Sequence, residues 1–264
     1  MKVITLLNEK GGVGKTTLAT TLAQSLAYKG VKVLLIDADP QGHSTVRCRA
    51  KKQPGIYDLL VRDAEWKHVA KAIRPEHFWM PGETIREARL WLLPGNVETR
   101  NIANSMERAD QIVVRLKELE GMIDIVIIDT SPTPSLLHGA IYLATDYILY
   151  PTELAQMSFD GLRESIKRRK AADMQRQTAL GTEPIKIMGI VPMKTRLHTI
   201  EHQVNLNQLK EQYGTLVWDA MPERVAWQEA ENSRVPVWNI APNGDAAKDA
   251  WNIGRQAWEA LNVR

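Results

Sequence analysis

The sequence predicts an α/β fold built on a doubly wound, mostly parallel β-sheet with helices on both faces. Short runs of apolar, β-rich residues recur along the chain, and most of them are continuous rather than alternating with polar residues. Continuous apolar strands are those buried on both faces of a sheet. Segments with helical spacing of apolar residues lie between several of these runs, and this alternation is typical of a parallel sheet covered by helices.

Seven strands are expected from the apolar runs. The first run, MKVITLL, leads into a glycine-rich loop, whereas the second, VKVLLI, and the fourth, IDIVII, lead into turns that carry aspartates. The predicted strands are residues 3–7, 31–36, 90–93, 123–128, 147–150, 185–191 and 216–217.

Helices are predicted between the strands. Stretches with helical spacing occupy residues 17–29, 103–120, 158–175 and 204–213. From about residue 41 to residue 94 the pattern is less regular, because PGIYDLL, IRPEHFWMPGET and LPGN are rich in turn-forming residues. We expect short helices and loops in that segment.

The last segment, NGDAAKDAWNIGRQAWEALNVR, has the pattern of a C-terminal helix with Asp245 as its N-cap. A membrane anchor would carry a richer basic face, so this helix is expected to pack on the core of the chain. The face that would pack consists of Ala247, Trp251, Gly254, Trp258 and Leu261.

Length and composition indicate an ordinary globular protein. The chain has 264 residues, which is compatible with one large α/β domain, and we expect residues 1–264 to form a single domain. Hydrophobic residues make up 44% and charged residues 25% of the chain, so extended disorder is not expected. The formal net charge of +3 permits an anionic partner without requiring one.

Cys48 is the only cysteine. One chain therefore has no internal disulfide and no cysteine-only zinc or iron–sulfur site. The N-terminus lacks a basic segment followed by a cleavable apolar stretch, and no apolar run is long enough to span a bilayer. We expect a cytoplasmic protein without a membrane partner.

The stretch NEKGGVGKTT, residues 8–17, matches a phosphate-binding loop with a deviation. In the usual pattern, G-x-x-x-x-G-K-[ST], backbone amides surround the phosphates, the lysine reaches the terminal phosphates and the hydroxyl ligates magnesium. Gly14, Lys15 and Thr16 fit, whereas Glu9 occupies the position of the first glycine and Lys10 adds a second lysine.

A strand, a glycine loop and a helix in this order predict a fold of the P-loop NTPase type. Glycine-rich turns between strand and helix also occur in α/β proteins that bind no nucleotide. The lysine and the threonine in register favour the phosphate site, because the mechanism of the motif needs both. The predicted phosphate contacts are Gly11, Gly12, Val13, Gly14, Lys15, Thr16 and Thr17.

Three aspartates follow predicted strands. Asp37 and Asp39 lie in LLIDADPQG, and Asp129 lies in IDIVIIDTSP. Ligands bind outside the carboxyl ends of the strands in a doubly wound sheet, so the three side chains can meet beside the phosphate loop. Asp37 and Asp129 are predicted, with Thr16, on the magnesium side, and Asp39 is predicted to orient the attacking water. The alternative for each aspartate alone is a cap on the following turn.

The stretches KGGVGKTT, LLIDADPQG and IDIVIIDTSP, in this order, resemble the ParA/MinD-type deviant Walker ATPases, and most closely the ParA-like partition ATPases. The resemblance extends through nearly the whole chain, with looser matches at LLPGNVE, PTELAQMSFDGL and MPERVAWQEAENSRVPV. It implies an enzyme that hydrolyses ATP to ADP and phosphate with Mg²⁺ as cofactor.

The resemblance also implies a role for the second lysine. In the family this lysine, here Lys10, reaches across a nucleotide-sandwich homodimer to the phosphates bound by the partner. Catalysis would then rest on Lys10, Lys15 and Asp39, with Lys10 acting as a cation supplied in trans. A solvated loop lysine is the alternative.

On the adenine side, the resemblance implies contacts from Pro222 and Arg224, with Met193 and Lys194 on the other side of the base. The chain departs from the family pattern here. It has GIVPMK and MPER, where the family often has an asparagine at the end of the strand and PR without an intervening residue.

Partition ATPases of this kind dimerise on ATP, coat nucleoid DNA without sequence preference, and release it when a cargo-bound partner stimulates hydrolysis. The resemblance implies the same for this chain: nucleoid association, a ParB-like or other cargo adaptor, and segregation of a plasmid, a chromosome or another large cargo. Non-specific binding of double-stranded DNA needs cations matched to phosphates, although a basic run is otherwise a solvated face. The candidate DNA contacts are Arg163, Lys167, Arg168, Arg169, Lys170, Arg196, Lys210, Lys248 and Arg255.

Other members of the broader group fit less well. The phosphate loop begins near residue 9, so we expect no N-terminal helix-turn-helix and no sequence-specific operator binding. Cys48 alone does not supply the paired cysteines that hold the bridging cluster of the nitrogenase iron-protein relatives. A metabolic P-loop enzyme that phosphorylates or ligates a small-molecule substrate stays open as the alternative.

Overall fold

The computed structural model describes residues 1–85 and 89–261 of the chain. Within this part, eight strands form one sheet in the order β3-β4-β2-β5-β1-β6-β7-β8, and neighbours are parallel except β3 and β4. The strands are β1 (Lys2–Leu6), β2 (Lys32–Ala38), β3 (Lys71–Ile73), β4 (Arg89–Leu93), β5 (Ile125–Thr130), β6 (Tyr147–Glu153), β7 (Lys186–Thr195) and β8 (Met221–Pro222).

Helices connect most of the parallel strands, as the alternating sequence pattern predicts. Short 3-10 turns occur at Pro75–His77, Val97–Asn101 and Gly214–Leu216. The helices of the described residues are α1 (Lys15–Tyr28), α2 (His43–Arg47), α3 (Ile56–Leu60), α4 (Trp66–Val69), α5 (Ile102–Ser105), α6 (Gln111–Lys117), α7 (Leu136–Ala144), α8 (Gln156–Leu180), α9 (Ile200–Tyr213), α10 (Val225–Ser233), α11 (Val237–Ile240) and α12 (Asp245–Leu261).

The alternation of side chains along the strands gives the sheet two covered faces. Ile4 and Leu6 of β1 pack in a core with α1 and α12, whereas Val3 faces a second core formed with α3, α6 and α7. Ile148 of β6 pairs in register with Thr5, on the same face as Val3, and packs beneath α8 and α9. The predicted doubly wound, mostly parallel fold with helices on both faces is confirmed.

Two of the predicted elements are wrong. The run at residues 216–217 is not a strand: it lies at the end of a 3-10 turn, where Val217 makes only an isolated bridge with Ile190, and the last strand is β8 instead. A two-residue apolar run is too short to distinguish a strand from a buried turn. The helix predicted at residues 103–120 is interrupted after Ser105, because the backbone of Met106 is extended.

Smaller differences occur in the irregular segment and at the C-terminus. The segment from about residue 41 to 94 contains the short helices that were expected, and also β3, which its turn-rich pattern did not indicate. Asp245 is the first residue of α12 rather than its N-cap, and its Oδ1 accepts a hydrogen bond from Lys248 Nζ at 3.1 Å.

The predicted stripe of α12 does pack on the core. Ala247, Gly254 and Leu261 are buried, and Trp258 lies partly buried against the core that includes α1. Gly254 permits the close approach of the two helices, because a Cβ added at this position would lie 2.6 Å from Ser25 Oγ.

Replacing Gly254 with valine should therefore destabilise the protein. The added side chain overpacks the contact between α12 and α1, which costs about 1–3 kcal/mol in the free energy of unfolding. Urea unfolding followed by circular dichroism measures this loss as a lower midpoint. The matched control is Gly139→Val in α7, where an added Cβ meets no atom within 4 Å and a change within about 0.5 kcal/mol is expected. Equal losses in the two variants would contradict the close α1–α12 contact.

Candidate active site

The site lies at one edge of the sheet, where the carboxyl ends of the parallel strands meet. The glycine loop follows β1 and leads into α1. Gly12 and Gly14 take positive φ values of 76° and 93°, a region that favours glycine. Gly14 also has no room for a side chain, because an added Cβ would lie 2.7 Å from Met193 Cε. The loop thus turns sharply and presents the N-terminus of α1, a favourable position for phosphate.

Lys15 is buried within the glycine loop, with 6% of its surface exposed. Its Nζ donates to the carbonyl oxygens of Asn8 at 2.8 Å and Lys10 at 3.2 Å. Burial lowers the pKa of the ammonium, and the nearby carboxylates of Asp129 and Asp39 partly offset this effect. The side chain is therefore held close to the helix N-terminus, next to two acidic groups.

Asp129 lies one residue before the end of β5, and one of its carboxylate oxygens accepts two hydrogen bonds. Thr16 Oγ1 and Ser44 Oγ both donate to its Oδ2, each at 2.8 Å. The other oxygen, Oδ1, is buried and accepts no hydrogen bond from the residues that the structure describes. A buried carboxylate oxygen without a partner is costly, so this atom fits a site for a cation or its bound water.

Asp37 lies beside Asp129, since the two residues pair in register on neighbouring strands. Its Oδ2 accepts hydrogen bonds from the backbone nitrogen of Thr45 at 2.8 Å and from Thr45 Oγ1 at 2.7 Å. Burial, and then the charge of Asp129, raise the pKa of Asp37 to about 7. Its carboxylate supports the start of α2 and adds negative charge next to Asp129.

Asp39 lies on the loop after β2, half-buried at the wall of a cavity of about 740 Å³. Its Oδ1 accepts a hydrogen bond from the backbone nitrogen of Gln41 at 2.8 Å. Gly95 packs under this loop, because an added Cβ would lie 2.5 Å from the carbonyl oxygen of Asp37 and 2.7 Å from that of Asp39. The same cavity is lined by Lys15 and Thr16, so the structure brings the predicted phosphate and water-orienting groups together.

Lys10 is placed differently. Its Nζ lies 2.7 Å from Glu153 Oε2, at the end of β6, and 2.8 Å from Ser158 Oγ in α8. Lys10 is absent from the described residues that line the 740 Å³ cavity. Both lysines of the loop are thus charged neighbours of the site, but only Lys15 faces the cavity of its own chain.

Glu153 also contacts Lys194, whose side chain lies against the glycine loop. Lys194 Nζ lies 3.4 Å from Glu153 Oε1 and donates to the carbonyl oxygen of Gly12 at 2.6 Å. One carboxylate therefore holds two cations, Lys10 and Lys194, at the rim of the phosphate loop.

A second cavity, of about 430 Å³, adjoins the first and gathers the residues predicted on the adenine side. Met193, Lys194, Pro222 and Arg224 all line it, together with Trp227. Arg224 is engaged within the chain, since its Nε donates to Asp249 Oδ2 of α12 at 2.9 Å. Met193, Pro222 and Trp227 supply apolar groups to this cavity, next to the charged side chains of Lys194 and Arg224.

Most of the candidate DNA contacts are engaged in ion pairs within the chain. Arg169 is the least accessible of them: its side chain is 15% exposed, pairs with Asp173 at 3.0 Å and donates to the carbonyl oxygen of Ile185 at 2.6 Å. Arg168 pairs with Glu9 of the glycine loop. Further pairs are Arg163–Asp160, Lys167–Glu164, Arg196–Glu223, Lys248–Asp245 and Arg255–Glu259.

The nine candidates do not form one patch. Five lie on α8, Arg196 follows β7, and Lys210 lies on α9, so these seven belong to one side of the sheet and its edge. Lys248 and Arg255 lie on α12, which covers the opposite face.

Several residues of the site were not predicted from the sequence. Ser44 and Thr45 hold the two buried aspartates, and their position two and three residues after DADPQG is a signal that could have indicated them. Glu153 and Ser158 contact Lys10 from positions 143 and 148 residues away. Both lie in PTELAQMSFDGL, which matches the family loosely, but that match indicated neither residue as a partner of Lys10.

Two other features are absent from the part of the chain that the structure describes. No group of three or more histidine, cysteine, aspartate or glutamate side chains is arranged to hold a metal ion there. None of the helices in residues 1–85 and 89–261 has the length and apolar character needed to cross a membrane.

A glycine loop that opens the first helix of a parallel sheet, beside buried carboxylates on adjacent strands, is the architecture of P-loop nucleotide-hydrolysing enzymes. Comparison with known proteins narrows this class. A family model described as an AAA domain matches residues 1–182, more than half of the chain. The chain belongs to that family and is, within it, a ParA-like ATPase of the ParA/MinD group.

Individual relatives agree with this assignment. The chain is 28% identical over 261 residues to the sporulation initiation inhibitor protein Soj of Bacillus subtilis (strain 168), with 97% of each chain covered. It is 28% identical over 242 residues to the chromosome partitioning protein ParA of Caulobacter vibrioides (strain NA1000 / CB15N), covering 90% of this chain and 86% of that protein. Its fold matches an ATP complex of McdA from Cyanothece with a TM-score of 0.80 at 22% identity, covering 100% and 97% of the two chains. The predicted family is confirmed.

The buried aspartates predict a pH dependence of stability. Because the folded-state pKa of Asp37 is raised to about 7, above its ordinary value of about 3.9, the stability that this group contributes is complete below pH 4 and is lost as the pH rises through 7. Asp37→Asn should remove that loss, so that the variant gains stability relative to the unmodified protein between pH 5 and pH 8. Urea unfolding in chelator, without nucleotide, measures the difference; parallel pH profiles of the two proteins would contradict it.

Proposed function

We propose that the chain is an ATPase that dimerises on ATP, binds double-stranded DNA without sequence preference, and segregates or positions a large cargo. The observation that supports dimerisation most directly is the position of Lys10. The Lys10 cation belongs to the phosphate loop but does not line the cavity of its own chain. It is therefore available to a second chain. Supplied in trans, it would stabilise charge that develops on the phosphoryl oxygens of the partner's ATP.

Within one chain, the remaining groups would bind the phosphates, orient the attacking water and contact the adenine. The amides of the glycine loop and Lys15 would bind the phosphates, with Lys15 exchanging its carbonyl acceptors on Asn8 and Lys10 for phosphate oxygens. Asp39, at the cavity wall, would accept a hydrogen bond from the attacking water and orient it. Pro222 and Met193 would contact the adenine in the adjoining cavity.

The donor set fits Mg²⁺. Magnesium in phosphate sites is bound through one or two carboxylates together with phosphate oxygens and water, so a preformed cluster of three acidic side chains is not required. Thr16 Oγ1 and the unpartnered Asp129 Oδ1 would hold the ion, with Asp37 behind them. When bound, the ion would neutralise charge on the β- and γ-phosphates.

The proposed DNA surface is the part of α8 and α9 that lies on one side of the sheet. Lys167 and Arg163 are exposed there and pair with acidic residues one helical turn away. Such exposed pairs are worth little, about 0–1 kcal/mol, so DNA phosphates can replace the acidic partners. Lys170 and Lys210 are exposed on the same helices. Two copies in a dimer would double this weak surface.

The proposal extends to partners and location. One relative is by name a chromosome partitioning protein, and we propose for this chain a nucleoid-associated cytoplasmic role, in which a ParB-like or other cargo adaptor stimulates hydrolysis. A metabolic P-loop enzyme with a small-molecule substrate is the competing function. The two differ in whether ATP promotes binding to arbitrary DNA.

Replacing Lys10 with alanine should reduce ATP turnover by about 100-fold or more, since a lost transition-state donor typically costs that much. Binding of ATP to the monomer should persist, because Lys10 does not line the cavity of its own chain. Phosphate release and ATP titration calorimetry measure the two quantities separately. Lys29→Ala, at the exposed C-terminal end of α1, is the control and should change neither. Unchanged turnover in Lys10→Ala would exclude the trans role.

Reversing the charge at Lys167 and Lys170 should abolish ATP-dependent DNA binding while leaving unstimulated ATP hydrolysis intact. Each lost phosphate contact lowers the dependence of affinity on salt, so gel shifts with arbitrary duplex at two salt concentrations measure the effect. The control carries Lys248→Glu and Arg255→Glu on the opposite face of the sheet and should bind DNA as before. Absence of ATP-dependent binding in the unmodified protein would favour the metabolic enzyme.

A further inference from the structure

An ion pair lies at the border between the two cavities of the site. Arg47, the last residue of α2, and Glu231, in α10, meet with Nη2 2.6 Å from Oε2. The side chain of Arg47 is 15% exposed, and that of Glu231 is 56% exposed. Arg47 lines the 740 Å³ cavity, whereas Glu231 lines both this cavity and the one of 430 Å³. The glutamate is therefore directed toward the space that joins them.

The residues common to both cavities mark where the sugar of a nucleotide must pass. If the phosphates occupy the first cavity and the base the second, as the proposed function requires, the ribose lies at the border because it links the two covalently. The residues that line both cavities are Gly14, Thr17, Lys194 and Glu231.

Among these four residues, Glu231 has the chemistry that a ribose hydroxyl needs. Gly14 has no side chain, Lys194 Nζ is a donor that already binds the carbonyl oxygen of Gly12, and Thr17 has a neutral hydroxyl, which accepts a weaker hydrogen bond than a carboxylate does. An ionised carboxylate only accepts hydrogen bonds, so it complements the hydroxyl donors of the sugar. Arg47 engages Oε2, while Oε1 accepts no hydrogen bond within residues 1–85 and 89–261. The second oxygen is thus free to accept from a ligand.

We propose that Glu231 binds a ribose hydroxyl of the nucleotide, with Arg47 as a positioning residue that orients its carboxylate. This inference rests on the proposed ATP site and deepens it: the pair makes the site selective for ribonucleotides over deoxyribonucleotides. A hydrogen bond from a hydroxyl to a half-exposed carboxylate corresponds to about a 10-fold preference for the nucleotide that carries the hydroxyl.

A purely structural role for the pair can be separated from this one. The chain links the same two segments a second time, through Arg49, whose Nε donates to the carbonyl oxygen of Arg234 at 3.0 Å and whose Nη2 donates to that of Ser233 at 2.8 Å. Arg49 lines neither cavity. Arg49→Ala therefore weakens the link between α2 and α10 without removing the proposed sugar contact.

The test measures the dissociation constants of ATP, 2′-deoxyATP and 3′-deoxyATP for the full chain in Mg²⁺. The unmodified protein should bind ATP about 10-fold more tightly than at least one deoxy analogue, and the affected analogue identifies the hydroxyl. Glu231→Gln and Glu231→Ala should bring the ratio close to one by weakening ATP alone. Arg47→Ala should lower the ratio partly, and Arg47→Lys should restore it.

Two controls define the outcomes. Arg49→Ala, and Glu259→Gln at an exposed arginine–glutamate pair of α12, should keep the ATP preference of the unmodified protein. An equal ATP preference in Glu231→Gln and in the unmodified protein, or no preference in the latter, would overturn this proposal while leaving the ATPase intact. Failure of the unmodified chain to bind any of the three nucleotides would instead remove the proposed function and this inference with it.

Discussion

The contact on which the site depends is the hydrogen bond between Thr16 and Asp129. It joins the first turn of α1 to the end of β5, and Ser44 brings the start of α2 to the same carboxylate oxygen. Because Asp37 lies beside Asp129 in register, two buried carboxylates repel each other at the centre of the sheet edge. Hydroxyl and amide donors partly offset the repulsion between the two carboxylates but do not remove it. The arrangement therefore favours any positive charge that enters the space next to Asp129.

The two lysines of the glycine loop are held near this site by different partners. Lys15 is buried and held by carbonyl oxygens, which neutralise no charge, so phosphate is a better partner for it than the loop itself. Lys10 is paired with Glu153, but the two side chains are 32% and 24% exposed. A pair that is partly open to water is weakly held. Its rupture on dimerisation would therefore cost little compared with the charge–phosphate contact that replaces it.

The sequence predicts the fold and the phosphate loop well because their determinants are local. Continuous apolar runs indicate buried parallel strands, and an aspartate directly after such a run must lie at the sheet edge. Glu153 and Glu231 were not predicted, because their partners, Lys10 and Arg47, are distant in the chain and meet them only through the folded topology. The helix predicted at residues 103–120 is a different kind of error, because here a local pattern was present but misleading. The helical spacing of apolar residues continues through a segment where the backbone at Met106 is extended.

The helix α8 contacts the glycine loop of the proposed ATPase site and also carries cations of the proposed DNA-binding surface. Ser158 near its start bonds to Lys10, and Arg168, two to three turns later, pairs with Glu9 of the same loop. Gly161 lies against Asn8, since an added Cβ would be 3.3 Å from its Oδ1. The helix that carries the proposed DNA-binding cations thus packs directly on the glycine loop. If Lys10 moves toward a partner's phosphates, as the proposed function requires, its bond to Ser158 would break, and the nucleotide state of the site would then act on this helix without an intervening element.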